Sequence, residues 1–379
     1  MQVIPVASGK GGVGKSLLAA NLAVAISGAG KKVVLADLDL GASNLHLVLG
    51  YQGVRTKGLG AFLSGAESFD SIILPTDYNN LSFIPGDMEI PGMSSLRAAQ
   101  KASLCKKLLK LDADYLILDL GAGTHLSILD FFLLSPQGIV ISSPAVTATL
   151  NAYLFLKNTV FRLLNSSIKK NSGAFNYLND LKKDVNRLQK LYIPNLLESI
   201  EKIDPESAAV FKEKMSKFHP RLIMNMIDTP KDSERALKIK RSCKEYLNLE
   251  LEHLGVVYRD SVQDVALSSR LPVVKYKPQS VISQAIFRIA DKILLSETET
   301  FGGDPDFSDE TFYNADLEAV NDYETKISSL EELVGSGAFS TSDLIETVKS
   351  QQYEISTLKK ENQLLKKKLI SAMEKGFKF

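Results

Sequence analysis

Residues Gly9, Lys10, Gly11, Gly12, Val13, Gly14, Lys15 and Ser16 fit the spacing G-x-x-x-x-G-K-[ST], and this set of residue types suits phosphate chemistry. The glycines let the backbone curl so that several N–H groups point at phosphate oxygens, and a helix start adds its positive end. Lys15 then reaches the outer phosphates, and the Ser16 hydroxyl ligates Mg²⁺. Lys10 is a second lysine in the same turn, which an ordinary phosphate loop does not require.

Such a loop works only between a strand and a helix. "QVIPV" precedes it and a helical pattern from Leu17 to Gly28 follows. Further along, "KVVLAD", "LSFIP", "YLILD", "GIVIS", "RLIMN", "LGVV" and "PVVKY" are short apolar runs separated by helical patterns. Near-continuous Val/Ile/Leu runs of this kind form a parallel sheet covered on both faces, so the expected fold class is α/β, doubly wound and mostly parallel. The alternation is regular to about Leu164, and residues 166–219 supply a polar, helix-like insertion whose role the sequence leaves open. "SETETFGGDPDFSDETF" is acidic and poor in aliphatic residues, so the domain is expected to span residues 1–296, followed by an acidic flexible linker at 297–316.

Composition sets outer bounds. The chain has 379 residues, 45% of them hydrophobic, and a formal net charge of +1, so nothing global points to a polyanionic partner. Cys105 and Cys243 stand apart without a CxxC, which argues against disulfide, zinc and iron–sulfur chemistry and reads as two core thiols. The stretch Leu129–Val146 is broken by Pro136 and Pro144 and reads as buried core, not a membrane span. With a strand at the start and no signal-peptide pattern, a cytoplasmic protein is expected.

"KGGVGKS" resembles the deviant Walker A motif of the MinD/ParA family of P-loop ATPases, of the SIMIBI type. "VVLADLDLGASNLHLVLG" looks like the family's switch I, "YLILDLGAGTHLSILDFF" like its Walker B and switch II, and "LGVVYRDSVQDVALSSRLPVV" like its nucleotide-side loop, which holds Tyr258. The phrases "DLDLGASNLH", "DLGAG" and "TATLNAYLFLK" look like the branch of flagellar-number regulators, FlhG or FleN, more than like cell-division MinD. The resemblance covers roughly residues 1–295. It implies ATP and Mg²⁺ as cofactors and a nucleotide-sandwiched homodimer in which Lys10 reaches phosphates held by the other subunit. Lys10, Lys15 and Asp39 would be catalytic, with Asp39 orienting the attacking water. Asp37 would support the Mg²⁺ shell beside Ser16, Asp119 would hold a Mg²⁺-bound water, and Gly121 would let the backbone sense the γ-phosphate.

The chain also departs from the family. Leu17 stands where a second hydroxyl residue usually touches the α-phosphate, so one polar contact is lost while the backbone cradle stays. Pro5 lies in a presumptive central strand, where it cannot donate to a ladder and implies a local irregularity. In "NMID", Asn225 stands where the family's asparagine contacts adenine; it also suits a strand-ending turn. The lysine of a guanine-reading loop is replaced by Met226, which favours ATP over GTP.

The C-terminal residues 317–379 read as a helical tail. Leu344, Val348, Gln351, Ile355, Leu358, Asn362, Leu365, Leu369 and Ala372 step by four and three, the seam of a parallel dimeric coiled coil with Asn362 fixing register. A solitary amphipathic helix uses the same residues, and "LLKKKLISAMEKGFKF" also suits the inner face of the plasma membrane. Three functions are consistent with this layout. They are an ATP-driven switch that positions a cellular machine with an unidentified protein partner, a coiled-coil scaffold with structural nucleotide, and a ParA-like DNA-partitioning ATPase. DNA is the less favoured partner; it would want a basic surface on the dimer, which the neutral overall balance neither supports nor excludes.

Overall fold

The computed structural model describes residues 1–39, 45–51, 58–86, 97–183, 192–296 and 305–335, with isolated positions 349, 352, 356, 363 and 365 beyond. Its strands are β1 (Gln2–Ser8), β2 (Val33–Leu38), β3 (Leu74–Pro75), β4 (Leu81–Ile84), β5 (Tyr115–Ala122), β6 (Ile139–Ser142), β7 (Arg221–Ile227) and β8 (Glu252–Tyr258). They form one sheet in the order β3-β4-β2-β5-β1-β6-β7-β8. Among the described strands every pairing is parallel except β3 with β4. β2 and β6 are buried at every position, as strands covered on both faces must be.

The helices are α1 (Lys15–Gly28), α2 (Leu45–Val48), α3 (Leu59–Leu63), α4 (Ala98–Leu108), α5 (Leu126–Phe132), α6 (Val146–Ser167) and α7 (Gly173–Lys183). They continue as α8 (Ile193–Ile203), α9 (Pro205–Lys217), α10 (Glu234–Leu247), α11 (Val262–Ser268), α12 (Val273–Tyr276), α13 (Val281–Leu295) and α14 (Pro305–Gly335). One core joins α1 and α13 to one face of the sheet, through Leu18, Leu22, Ile26, Ile286 and Ile293. The second core lies on the opposite face and includes Phe132, Phe155, Phe211 and Phe312. α1 is buried almost all round, from Leu18 to Ser27, which explains its run of leucine and alanine with no polar stripe. The described part of the insertion is α7, α8 and α9, and Asp204 caps α9 by accepting from the Ser207 N–H.

"PVVKY" is the one apolar run of the sequence reading that is not a strand. It forms α12, whose Val273 and Val274 are buried and whose Val274 N–H donates to Asn21 Oδ1 on α1 at 3.2 Å. A four-residue apolar run carries no period that separates strand from helix. Pro5 sits regularly opposite Leu118 of β5, while the β6 ladder covers only Val6 and Ala7. The missing N–H therefore falls before the second neighbour begins, and the register shift lies later, between Val6 and Ser8. Both cysteines pack in the core, Cys243 fully and Cys105 at its margin.

The largest revision concerns the expected linker. Of residues 297–316, those from Pro305 onward are helix, and the compact unit runs from Met1 to Tyr323, past the boundary expected at 296. Acidity misled because the acids of α14 pair with basic groups of the domain. Asp309 meets Lys240, Glu318 meets Lys292 and Asp322 meets Arg288. Between them Phe312, Ala315 and Ala319 are buried, and the Lys240 ammonium lies 4.4 Å from the centre of the Phe312 ring. Along β8, Ser308 Oγ donates to the Leu251 carbonyl at 2.8 Å and Thr311 Oγ1 accepts the His253 N–H at 3.1 Å.

Residues 324–379 form a second unit. Of the heptad seam, Leu365 is helical and exposed, and the other eight positions lie outside the described residues. No helix of the described residues is long and apolar enough to cross a membrane.

Candidate nucleotide site

The catalytic and binding candidates converge because each stands at or just beyond the carboxyl end of a parallel strand, where α/β sheets take their ligands. The phosphate loop follows β1, Asp37 and Asp39 close β2, Asp119 and Gly121 close β5, Asn225 ends β7 and Tyr258 ends β8. Asp37 and Asp119 are directly opposite in the β2–β5 register, and both are completely buried.

Gly12 and Gly14 adopt φ of +79° and +84°, the left-handed turn that lets α1 begin at Lys15. A Cβ on Gly14 would lie 2.3 Å from Asn225 Nδ2, and one on Gly9 would lie 2.0 Å from the Asn151 carbonyl of α6. The loop is thus pressed against two elements distant in sequence. Asn225 Nδ2 donates to the Val13 carbonyl at 2.8 Å, and Val13 itself is buried. This bond fixes the loop's curl and uses one amide hydrogen of Asn225.

Lys15 is 7% exposed, and its ammonium donates to Asp119 Oδ1 and to Ser16 Oγ, the latter at 3.3 Å. Burial pushes the Asp119 carboxyl above its ordinary value, Lys15 and Ser16 pull it down, and Asp39 adds to the rise. Asp119 Oδ2 is buried and accepts no hydrogen bond. An uncompensated carboxylate oxygen beside a serine hydroxyl and a second strand-end aspartate suits a hard divalent cation or its bound water. The Asp39 N–H donates to Asp37 Oδ1 at 3.1 Å, and a Cβ on Gly121 would lie 3.4 Å from Asp39 Oδ1. The ends of β2 and β5 therefore come close together at Asp39 and Gly121. Residues 40–44 of switch I lie outside the described residues.

Lys10 has different surroundings. It is exposed and donates to Thr147 Oγ1 at the start of α6, at 2.8 Å, while Ser8 Oγ donates to its carbonyl. The two lysines of one turn thus have separate stations, one in the cradle and one at the rim. Thr147 went unremarked in the sequence, although it lies within "TATLNAYLFLK", because no spacing ties it to Lys10.

On the other side of the loop a cavity of 220 Å³ is lined by Gly14, Leu17, Asn225, Met226 and Tyr258, with the first turn of α11. Leu17 gives it an apolar face. Met226 has φ +58°, rare for a residue with a side chain, at the bulge where β7 shifts register against β8. Tyr258 reaches the cavity wall, but its hydroxyl donates to the Ala319 carbonyl of α14 at 2.7 Å. Its polar end serves the helix, and what it offers a ligand is ring and backbone.

Comparison with known proteins gives the same architecture. Residues 1–160 match the ParA family, described as NUBPL iron-transfer P-loop NTPase. The flagellum site-determining protein YlxH of Helicobacter pylori is 27% identical over 304 residues, 78% of this chain and 83% of its own. The antiactivator FleN of Pseudomonas aeruginosa is 24% identical over 296 residues, 77% of this chain and 86% of its own. Septum site-determining MinD of Pyrococcus horikoshii, solved with Mg-ADP, superimposes with a TM-score of 0.51 over 79% of this chain and 99% of its own, at 22% identity. That last likeness is one of fold. Among the described residues no group of three or more histidine, cysteine and acidic side chains is placed to hold a metal ion.

Residues 1–160 thus resemble ParA-type P-loop NTPases, and over most of its length the chain is similar to YlxH and FleN.

Proposed function

We propose that this protein is an ATP-dependent molecular switch. It dimerises around ATP, hydrolyses it slowly, and in the ATP state positions or counts a cellular assembly, as the names of the flagellar relatives suggest. The single observation that supports this reading most is the separation of the two lysines. Lys15 occupies its own cradle on Asp119, while Lys10 stands exposed on the rim beside Thr147, a position that suits a lysine acting on a second subunit's phosphates. A cation delivered from outside stabilises charge that develops during phosphoryl transfer, so hydrolysis and dimer contact become one event.

Gly11, Gly12, Val13 and Gly14 supply the curled backbone for the phosphates, with Lys15 as the cation in cis. Ser16, Asp37 and Asp119 would hold Mg²⁺, which neutralises phosphate charge when bound. Asp39 orients the attacking water, and Gly121 carries the state of the site into switch II. Asn225 holds the loop that binds the phosphates, and Leu17 and Tyr258 shape the base side.

The test is sedimentation of full-length protein, wild type and Lys10→Ala, with ADP, with ATP, and with ATP plus liposomes or DNA. A switch self-associates further with ATP, and Lys10→Ala loses that step and turnover while each site still binds ATP. Identical assembly in ADP and ATP with negligible turnover supports the scaffold reading instead. Co-sedimentation with DNA supports partitioning. Co-sedimentation with liposomes supports peripheral membrane attachment.

A further inference from the structure

The cavity of 220 Å³ beside the phosphate loop is smaller than the roughly 300–1,000 Å³ of pockets that enclose drug-sized ligands, so it suits one heterocycle and not a whole nucleotide. It adjoins Gly14 and Leu17, and Met226 and Ile282 give it further apolar surface. These are the walls for a flat ring whose attached phosphates lie in the loop.

Its polar side chains are mostly committed elsewhere. Asn225 Nδ2 is held by the Val13 carbonyl, the Tyr258 hydroxyl by the Ala319 carbonyl, and Asp260 Oδ1 by the Val262 N–H. Gln263, in the first turn of α11, is the contrast. It lines the cavity, it is 9% exposed, and both its Oε1 and its Nε2 are buried without a hydrogen-bond partner. Two orphaned polar atoms on one buried side chain cost folding free energy, and such a cost at a pocket wall marks a group that a ligand satisfies. The position invites an aliphatic residue, since the buried face of α11 is otherwise Ala266. A carboxamide there presents one donor and one acceptor side by side, the complement of adenine's amino group and adjacent ring nitrogen.

We propose that Gln263 turns into this cavity when nucleotide binds and reads the adenine edge, making it a specificity-determining residue of the site. The inference rests on the nucleotide-binding reading above. In the free protein the carboxamide is unsatisfied; in the complex its donor and acceptor are both used.

Titration calorimetry on the full chain tests this with ATP, GTP and inorganic triphosphate, on wild type, Gln263→Met and Gln263→Glu, alongside the melting temperature of each free protein. Gln263→Met keeps the length and removes both polar atoms. It should melt higher than wild type, bind ATP about 5- to 20-fold more weakly, and bind triphosphate unchanged. Gln263→Glu keeps an acceptor and loses the donor, so it should lose ATP affinity and gain in relative affinity for GTP, whose ring N–H and amino group donate. A Gln263→Met protein that binds ATP as wild type does overturns the proposal, and so does a loss confined to GTP or one shared equally by triphosphate. If wild type binds neither ATP nor triphosphate, the nucleotide-binding reading itself fails, and that result is distinct from the others.

Discussion

The phosphate half and the base half of the same sheet edge are built by opposite means. In the proposed phosphate half, one contiguous turn supplies the curled backbone and two neighbouring strands supply acids in register, with Lys15 bonded to Asp119 and the Asp39 N–H to Asp37. The base half is assembled from β7, β8, α11 and α14, drawing on residues as far apart as Asn225 and Ala319. It holds Gln263, whose two polar atoms are both buried without a partner, where the phosphate half has the one orphaned oxygen of Asp119. Tightly specified chemistry is local in sequence, whereas the part that tunes it is spread along the chain.

The largest effect is expected at the other end of β8 from the base half, at His253. Its ring is fully buried against Phe312, both nitrogens lack partners, and burial with the nearby Lys292 and Lys240 charges lowers its pKa to about 3. Above pH 6.5 neither folded nor unfolded chain protonates it. Below that the unfolded chain takes up the proton and the folded one does not, so stability falls between pH 6.5 and about 3. The loss is about 3–5 kcal/mol over that window, and in His253→Phe this component of the pH dependence vanishes, as urea titrations at stepped pH will show.

Next is Lys15→Ala, which removes the cation of the phosphate half. ATP affinity should drop about 100-fold or more, since a charge-assisted bond to a buried site is lost. Circular dichroism should show the fold retained, because Asp119 relieves its burial by taking a proton. Retained affinity in calorimetry would refute the assignment of the loop. The smallest effect is Tyr258→Phe. It leaves the Ala319 carbonyl without its donor and should cost about 1 kcal/mol in denaturant stability. ATP affinity should move by less than about threefold if the two halves are independent. A larger shift would show that α14 and the base wall are coupled.

Legibility followed the same line. The loop, Asp37, Asp39 and Asp119 could be read directly, because a motif bounded by a strand and a helix states its own geometry. Asn225 could be placed near a strand end, but its bond to Val13, which joins residues 212 positions apart, could not be read. "PVVKY" was misassigned because four apolar residues have no measurable period. The linker expectation failed because acidity signals solvation only when no basic face lies opposite, and Lys240, Arg288 and Lys292 were too scattered in sequence to be seen as one. Gln263 gave no signal, since a glutamine in an amphipathic turn is ordinary until its burial is known.

The contact of α14 with β8 has a consequence for where this chain can be cut. β8 is the last strand of the sheet, and an end strand with open N–H and carbonyl groups is a template for strands of other molecules. Ser308 and Thr311 occupy such groups at Leu251 and His253, and Phe312 covers the side chains beside them. A protein ended at residue 296, where composition alone would place the boundary, keeps the whole nucleotide edge but uncovers this strand. Such a truncation trades solubility for brevity. The acidic helix is to the sheet what a selvedge is to cloth, a finish that keeps the last thread from catching on its neighbours.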